Sequence, residues 1–214
     1  MDTYFEDKVR LESERAAAYG DAIVGVDEVG RGCLAGPVTA ASVRLDYRLL
    51  EALPLKTLKL IRDSKKLSKA QRQKLLPTLK EISRSFHIAM ATPREIERYG
   101  INPATFLAMR RTLKEHKKIT YVLVDGRAKI PQIPWPQETI IKGDDKTFCI
   151  AAASILAKEA RDEWMRSKAE KFPHWGFEEH VGYGTKSHLA SLMEHGPCAL
   201  HRRNFSPVKD MTLN

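Results

Sequence analysis

Four carboxylates stand where a carboxylate is locally costly. Asp27 and Glu28 interrupt the apolar run AIVGVDEV at 22–29, and Asp125 directly follows the β-branched run ITYVLV at 119–124. An unpaired charge at the end of a buried strand costs far more than strand propensity returns, so something positive must meet these groups. The fourth, Asp162, shares a helical stripe with Ser154 and Lys158 at i, i+4 spacing, in a segment made small-sided by Ala151, Ala152, Ala153 and Ala157. If the two strands are parallel neighbours, both sets of acids emerge at one carboxyl edge, where open α/β sheets bind ligands. Oxygen donors without a thiolate cluster or a His-x-His spacing select a hard cation, Mg²⁺ or Mn²⁺ over zinc. Such a site in a basic chain points to phosphodiester hydrolysis. The plainer alternatives are a turn acid for Asp125 before Gly126 and a surface ion pair for Lys158 and Asp162.

Alternation sets a difficulty, because adjacent strand residues face opposite sides of a sheet. Asp27 and Glu28 can share a site only if the strand breaks there, which Gly30 and Gly32 make cheap, or if Glu28 offers its backbone carbonyl.

The elements that must position these residues follow from hydrophobic pattern and punctuation. Strands are expected at 22–29, 38–45, 86–91 and 119–124, with a shorter one near 138–142. Helices are expected over 68–82, where Pro77 should kink the helix or start a new one; from Asn102 or Pro103 to about His116; over 147–172, the longest; and over 185–195. Early strands, a helix-linked strand in the middle and late helices spell an α/β fold with a mixed sheet. One unit spanning 1–214 is expected, with 173–214 as a helical and loop-rich C-terminal portion.

Composition narrows the partner. With 214 residues, 43% of them hydrophobic, the chain can bury a core without disulfides, and Cys33, Cys149 and Cys198 form no C-x-x-C pair. A reducing cytoplasm is expected. No apolar run approaches the ~20 residues of a membrane span, and the charged N-terminus is unlike a signal peptide. The net charge of +9 favours a polyanion, and RDSKKLSKAQRQK at 62–74 reads as a phosphate-tracking strip or as an ordinary solvated helix face. A non-catalytic nucleic-acid-binding module and a general metal-dependent nuclease or phosphatase fit the same features; metal-dependent strand scission would separate them.

Six segments in order carry a resemblance: GVDEVGRGCLAGPV from Gly25, DSKKLS from Asp63, YVLVDG from Tyr121, IKGDDKTFCIAAASILAKEARD from Ile141, HVGYGTKSH from His180 and GPCALHRRNFSPV from Gly196. In these the chain resembles the type 2 ribonucleases H, the bacterial ribonuclease HII family. The resemblance implies a ribonuclease H-like fold, a five-stranded mixed sheet flanked by helices. It also implies cleavage of RNA paired to DNA, including cleavage 5′ of single ribonucleotides embedded in duplex DNA. It places metal-binding and catalytic roles on Asp27, Glu28, Asp125 and Asp162, and leaves Asp144 and Asp145 as loop or cap residues. Junction reading falls on Gly30, Arg31, Gly32 and Tyr183, with Ser64, Lys65, Ser154 and Lys158 beside backbone phosphates. The glycines bare the backbone to a 2′-hydroxyl, and Tyr183 can offer a flat ring to a sugar or base. The sister type 3 enzymes normally carry a further N-terminal domain and lack the GRG arginine. Cys33 stands where the family frequently has proline. A monomer without a recognisable sliding-clamp peptide is expected.

Overall fold

The computed structural model describes residues 3–211; the end of the chain, where a clamp peptide would be sought, lies partly outside them. In order the chain forms α1 (Thr3–Tyr19), β1 (Ile23–Val29), β2 (Val38–Leu45), α2 (Tyr47–Glu51), α3 (Leu55–Leu58), α4 (Lys69–Glu81) and β3 (Ser83–Ala91). There follow α5 (Pro93–Tyr99), α6 (Ile101–Lys114), β4 (Tyr121–Asp125), β5 (Gln137–Ile140), α7 (Gly143–Lys146), α8 (Phe148–Arg166), α9 (Phe177–His180), α10 (Lys186–His195) and α11 (Val208–Met211). The strands make one five-stranded sheet in the order β3-β2-β1-β4-β5. Its first three strands are antiparallel neighbours, while β1–β4 and β4–β5 are parallel. None of the helices is long and apolar enough to cross a membrane among the described residues.

One face of the sheet packs on α8, with Ile23, Val29, Val43, Leu123, Ile150 and Ile155 in that core. The other packs on α6, through Val24, Val26, Val122, Ala108 and Met109. The alanines of α8 let it lie almost on β1: a Cβ added to Gly25 would sit 2.4 Å from the Cys149 carbonyl carbon. The helix is positioned from a distance as well. Glu12 of α1, fully buried, accepts the Cys149 N–H at 2.7 Å and so places a carboxylate at the N-terminus of α8.

Two helix boundaries depart from the sequence expectation. Pro77 lies on the exposed side of an unbroken α4, whose inner face buries Arg72, Leu75 and Leu79; that packing outweighs the one bond a proline removes. Helix α8 ends at Arg166 rather than Phe172, and Lys168 N and Ala169 N instead bond to carbonyls three residues back. The C-terminal portion builds a smaller core of Phe177, Val181 and Met165 against Ala35.

His116 is buried between β2 and β3, with Ser42 Oγ at 2.8 Å and Ser85 Oγ at 2.7 Å from its two ring nitrogens. Burial, then the charge of His87, pushes its pKa down to about 4. Its value in the unfolded chain is about 6.5, so between the two the unfolded state binds more protons and the contribution of neutral His116 disappears as pH falls. The stability lost on His116→Gln is therefore expected to shrink between about pH 7 and about pH 4.5. Melting curves of both proteins across that range check it; a constant difference contradicts it.

Candidate active site

The parallel register of β1 and β4 runs from Ile23↔Tyr121 to Val26↔Val124. Asp27 and Asp125 are the next residues on each strand, so they meet at the carboxyl edge of the sheet. No break in β1 brings Glu28 to the same place. Pairing with β2 continues through Glu28↔Ala40 to Val29↔Thr39, and alternation puts Asp27 on the α8 face and Glu28 on the α6 face. Both nevertheless line one cavity, at the edge of the sheet where β4 ends at Asp125. That cavity, of about 200 Å³, is lined by Asp27, Glu28, Asp125 and Asp144 together with Val29, Gly30, Arg31, Gly32, Lys65 and Tyr183.

Each acid is held differently. Asp27 is 5% exposed and accepts the Glu28 N–H at 2.7 Å, beside Ser154 of α8, whose hydroxyl donates to Ser64 Oγ at 3.0 Å. Burial, and then the Glu28 and Asp125 carboxylates, push its carboxyl well above the usual range. Burial also raises Glu28, against the guanidinium of Arg31 at 3.5 Å. Asp125 accepts the Gly143 N–H at 2.7 Å; burial raises its pKa, and backbone N–H groups from Gly143, Gly126 and Asp144 pull it back. Asp144 is buried at the start of α7, and burial followed by the charges of Asp125, Asp63 and Asp145 pushes it up to about 6.

The fourth acid of the cavity is therefore Asp144, which the sequence reading had as a loop or cap residue. Asp162 does not line the cavity. It lies on α8 eight residues beyond Ser154, about 12 Å along the axis, and is occupied by Lys158 Nζ at 2.9 Å, Arg72 at 3.7 Å and Arg166 at 3.8 Å. The plainer reading of an ion pair describes this carboxylate, though the pair is buried rather than at the surface. Lys158 is consumed by it too, while its ammonium lies 4.9 Å from the centre of the Tyr183 ring. Asp145 pairs with Lys66 at 2.5 Å, outside the cavity.

The basic strip divides in the same way. Lys65 lines the cavity, on a short 3₁₀ turn (Ser64–Lys66) capped by Asp63, which accepts Lys65 N–H at 2.9 Å. Arg72 faces inward, with Glu159 at 2.6 Å and the carbonyls of Ser64 and Leu67 at 3.2 and 2.8 Å. It binds the Ser64–Lys66 turn to α8 and offers nothing to a phosphate.

Gly30, Arg31 and Gly32 line the same cavity. Gly30 has a φ of +89°, and a Cβ there would lie 2.2 Å from Arg161 Nε, so only glycine fits. The Arg31 side chain is pinned by Asn102 Oδ1 at 2.5 Å and Glu28. Tyr183 is partly buried; burial and then Cys33 raise it to about 12, so it stays a neutral ring at any working pH.

All the donors around the cavity's acidic side are carboxylate oxygens, and no imidazole or thiol lines it. As arranged, no three His, Cys, Asp or Glu side chains among the described residues form a ready ligand cluster, because Glu28 turns to Arg31 and Asp125 to Gly143. Burial and then neighbouring carboxylates raise Asp27 and Asp144; a divalent cation would relieve that repulsion, and a set of hard oxygens fits Mg²⁺ or Mn²⁺.

A mixed sheet with acids at the carboxyl ends of its two central strands defines a nuclease-type site on a ribonuclease H-like fold. The model of the family described as ribonuclease HII matches residues 24–208. Ribonuclease HII of Thiobacillus denitrificans is 45% identical over 188 residues, covering 87% of this chain and 88% of the relative. The ribonuclease H2 of Pyrococcus horikoshii superposes with a TM-score of 0.72 at 23% identity, over 88% of this chain and 96% of that one. A Bst ribonuclease HIII solved in complex with Mn²⁺ follows at 0.67 and 18%, covering 89% of this chain and 69% of its own. The chain belongs to the ribonuclease HII family. It is an endoribonuclease, acting on RNA paired to DNA.

Proposed function

We propose that hydrolysis by this chain depends on Mn²⁺ or Mg²⁺, and that it cuts 5′ of single ribonucleotides embedded in duplex DNA as well as within longer hybrids, leaving a 3′-hydroxyl and a 5′-phosphate. The observation that carries this reading is one cavity lined both by Asp27, Glu28, Asp125 and Asp144 and by Gly30, Arg31, Gly32 and Tyr183. Chemistry on a phosphodiester and recognition of the adjoining sugar are thereby confined to one register of the nucleic acid. The Mn²⁺ bound in the Bst ribonuclease HIII structure, on the same fold, supports the choice of cation.

The four cavity acids would hold the metal, with Asp144 taking the place given in the sequence reading to Asp162. When bound, the cation supplies an activated water and neutralises charge on the leaving oxygen. The chain's own groups do the rest. The Glu28 N–H fixes Asp27, and the Gly143 N–H fixes Asp125, so both carboxylates are oriented before substrate arrives. Lys65 sets a cation beside the acids for the scissile phosphate. The bared backbone of residues 30–32 meets the ribose, and the Tyr183 ring, with Lys158 4.9 Å and Arg161 5.6 Å from its centre, packs against the neighbouring deoxyribose.

Tyr183→Ala and Arg31→Ala are expected to lower kcat/KM on a duplex with one ribonucleotide roughly tenfold more than on a long RNA strand paired to DNA. A uniform hybrid offers a 2′-hydroxyl at every register, whereas a lone ribonucleotide offers one. The ratio of kcat/KM on the two substrates tests this, and an unchanged ratio with both activities falling together would remove the junction-reading assignment.

A further inference from the structure

Arg202 does not line the cavity, yet its donors end on the cavity's wall. It is fully buried behind the 30–36 loop and donates from Nε to Gly36 O at 2.9 Å, from one Nη to Arg31 O at 2.8 Å and from the other to Gly30 O at 2.6 Å. Arg161, also fully buried, does the same to Pro37, Ala35 and Val181, each at 2.9 Å. All six bonds go to carbonyls and none to a carboxylate. A buried guanidinium without a counter-charge is costly, and burial pulls Arg202 down to about 10.

The return on that cost is direction. In a trans peptide the C=O of one residue and the N–H of the next point opposite ways. With the Gly30 and Arg31 carbonyls drawn inward onto Arg202, the N–H groups of Arg31 and Gly32 point outward, and neither has a hydrogen-bond partner among the described residues. The loop therefore presents donors, with a positive charge behind them, where an electron-rich sugar and phosphate would lie.

The preceding residue reaches the other half of the reader. His188 Nδ1 lies 2.9 Å from the Tyr183 carbonyl and must carry a proton to bond it. His188 Nε2 is then an acceptor for His201 Nε2–H at 3.0 Å, and His201 Nδ1 accepts the Cys198 N–H at 2.9 Å. One tautomer of each ring satisfies every bond, so the chain from Cys198 to Tyr183 is a single directed relay.

We propose that Arg202 and His201 are positioning residues for ribose recognition: Arg202 aims the Arg31 and Gly32 N–H groups at the substrate, and His201, through His188, sets the backbone of Tyr183. This rests on the reading that residues 30–32 and Tyr183 recognise the ribonucleotide junction.

The test compares Arg202→Gln, Arg202→Lys and His201→Gln with wild type, each confirmed folded by its melting curve and assayed well below its Tm. The readouts are kcat and KM on a duplex with one ribonucleotide and on a long hybrid. Arg202→Gln should shift the ratio of kcat/KM against the single ribonucleotide by about tenfold or more, the worth of one or two charge-assisted bonds. Arg202→Lys keeps the charge but cannot fork to three carbonyls, so a smaller shift in the same direction is expected; His201→Gln should shift it through Tyr183. If Arg202→Gln fails to fold, the other two decide. A wild-type ratio in folded Arg202→Lys and His201→Gln would overturn the proposal, leaving both residues as props of the fold. A wild-type enzyme indifferent to the 2′-hydroxyl would instead overturn the reading beneath it.

Discussion

Asp27→Asn and Asp125→Asn are each expected to lower kcat by roughly 10³-fold or more while leaving hybrid binding within a few fold. The asymmetry follows from where each contribution arises. The acids stabilise charge that develops during hydrolysis, whereas affinity for a polyanion comes from the net charge of +9 and from exposed cations such as Lys65. Without added metal, either substitution should tighten binding, since it removes a group that repels phosphate when ionised. Single-turnover cleavage and fluorescence-anisotropy titrations of the same variants separate the two effects. Loss of binding in step with loss of turnover would show that these acids support the fold rather than the chemistry.

Asp144→Asn and Asp162→Asn should differ in kind. Asp144 lines the cavity beside Asp125, so its replacement is expected to cost turnover by about 10²-fold or more, with partial recovery at high Mn²⁺, and little stability. Asp162 neutralises Lys158, Arg72 and Arg166 in the interior. Its replacement should cost about 2 kcal/mol of stability, the scale for bonds to charged groups, with turnover well below Tm reduced only modestly. Urea unfolding together with kcat for both variants gives the comparison. The reverse pattern, a stable but inactive Asp162→Asn, would return the fourth catalytic role to α8.

The strands and their acids were legible because chemistry was written against local preference. Carboxylates at the ends of the apolar runs at 23–29 and 121–125 had no local reason to be there, and parallel pairing of those strands was enough to bring Asp27 and Asp125 together. Asp162 misled because its stripe with Ser154 and Lys158 was real, while the arginine it serves, Arg72, arrives from α4, ninety positions away in the chain. Asp144 was hidden by the opposite circumstance: an acid after a glycine at a helix start looks like a cap. What draws it to the cavity is the bond from Gly143 N–H to Asp125, which no local pattern announces. Helix α1 was missed for a related reason. Its inner stripe is Phe5, Lys8 and Glu12, and two of the three read as surface residues until Lys8 is seen bonding Ile61 O at 2.6 Å and Glu12 meeting the start of α8. The Arg161 and Arg202 bonds lay beyond reach too, since backbone carbonyls leave no trace in residue identity.

The most direct test of the account is the fate of a labelled DNA duplex carrying one ribonucleotide, incubated with the protein in Mn²⁺, in Mg²⁺ or in chelator, with the products sized and their ends identified. The account predicts one cut, on the 5′ side of the ribonucleotide, in the presence of either metal and none in chelator, with a 3′-hydroxyl upstream and a 5′-phosphate on the ribonucleotide. Cleavage that persists in chelator would contradict the dependence on metal, and a 2′,3′-cyclic phosphate among the products would contradict attack by water, because that end forms only when the 2′-hydroxyl attacks the phosphorus on its own 3′ side.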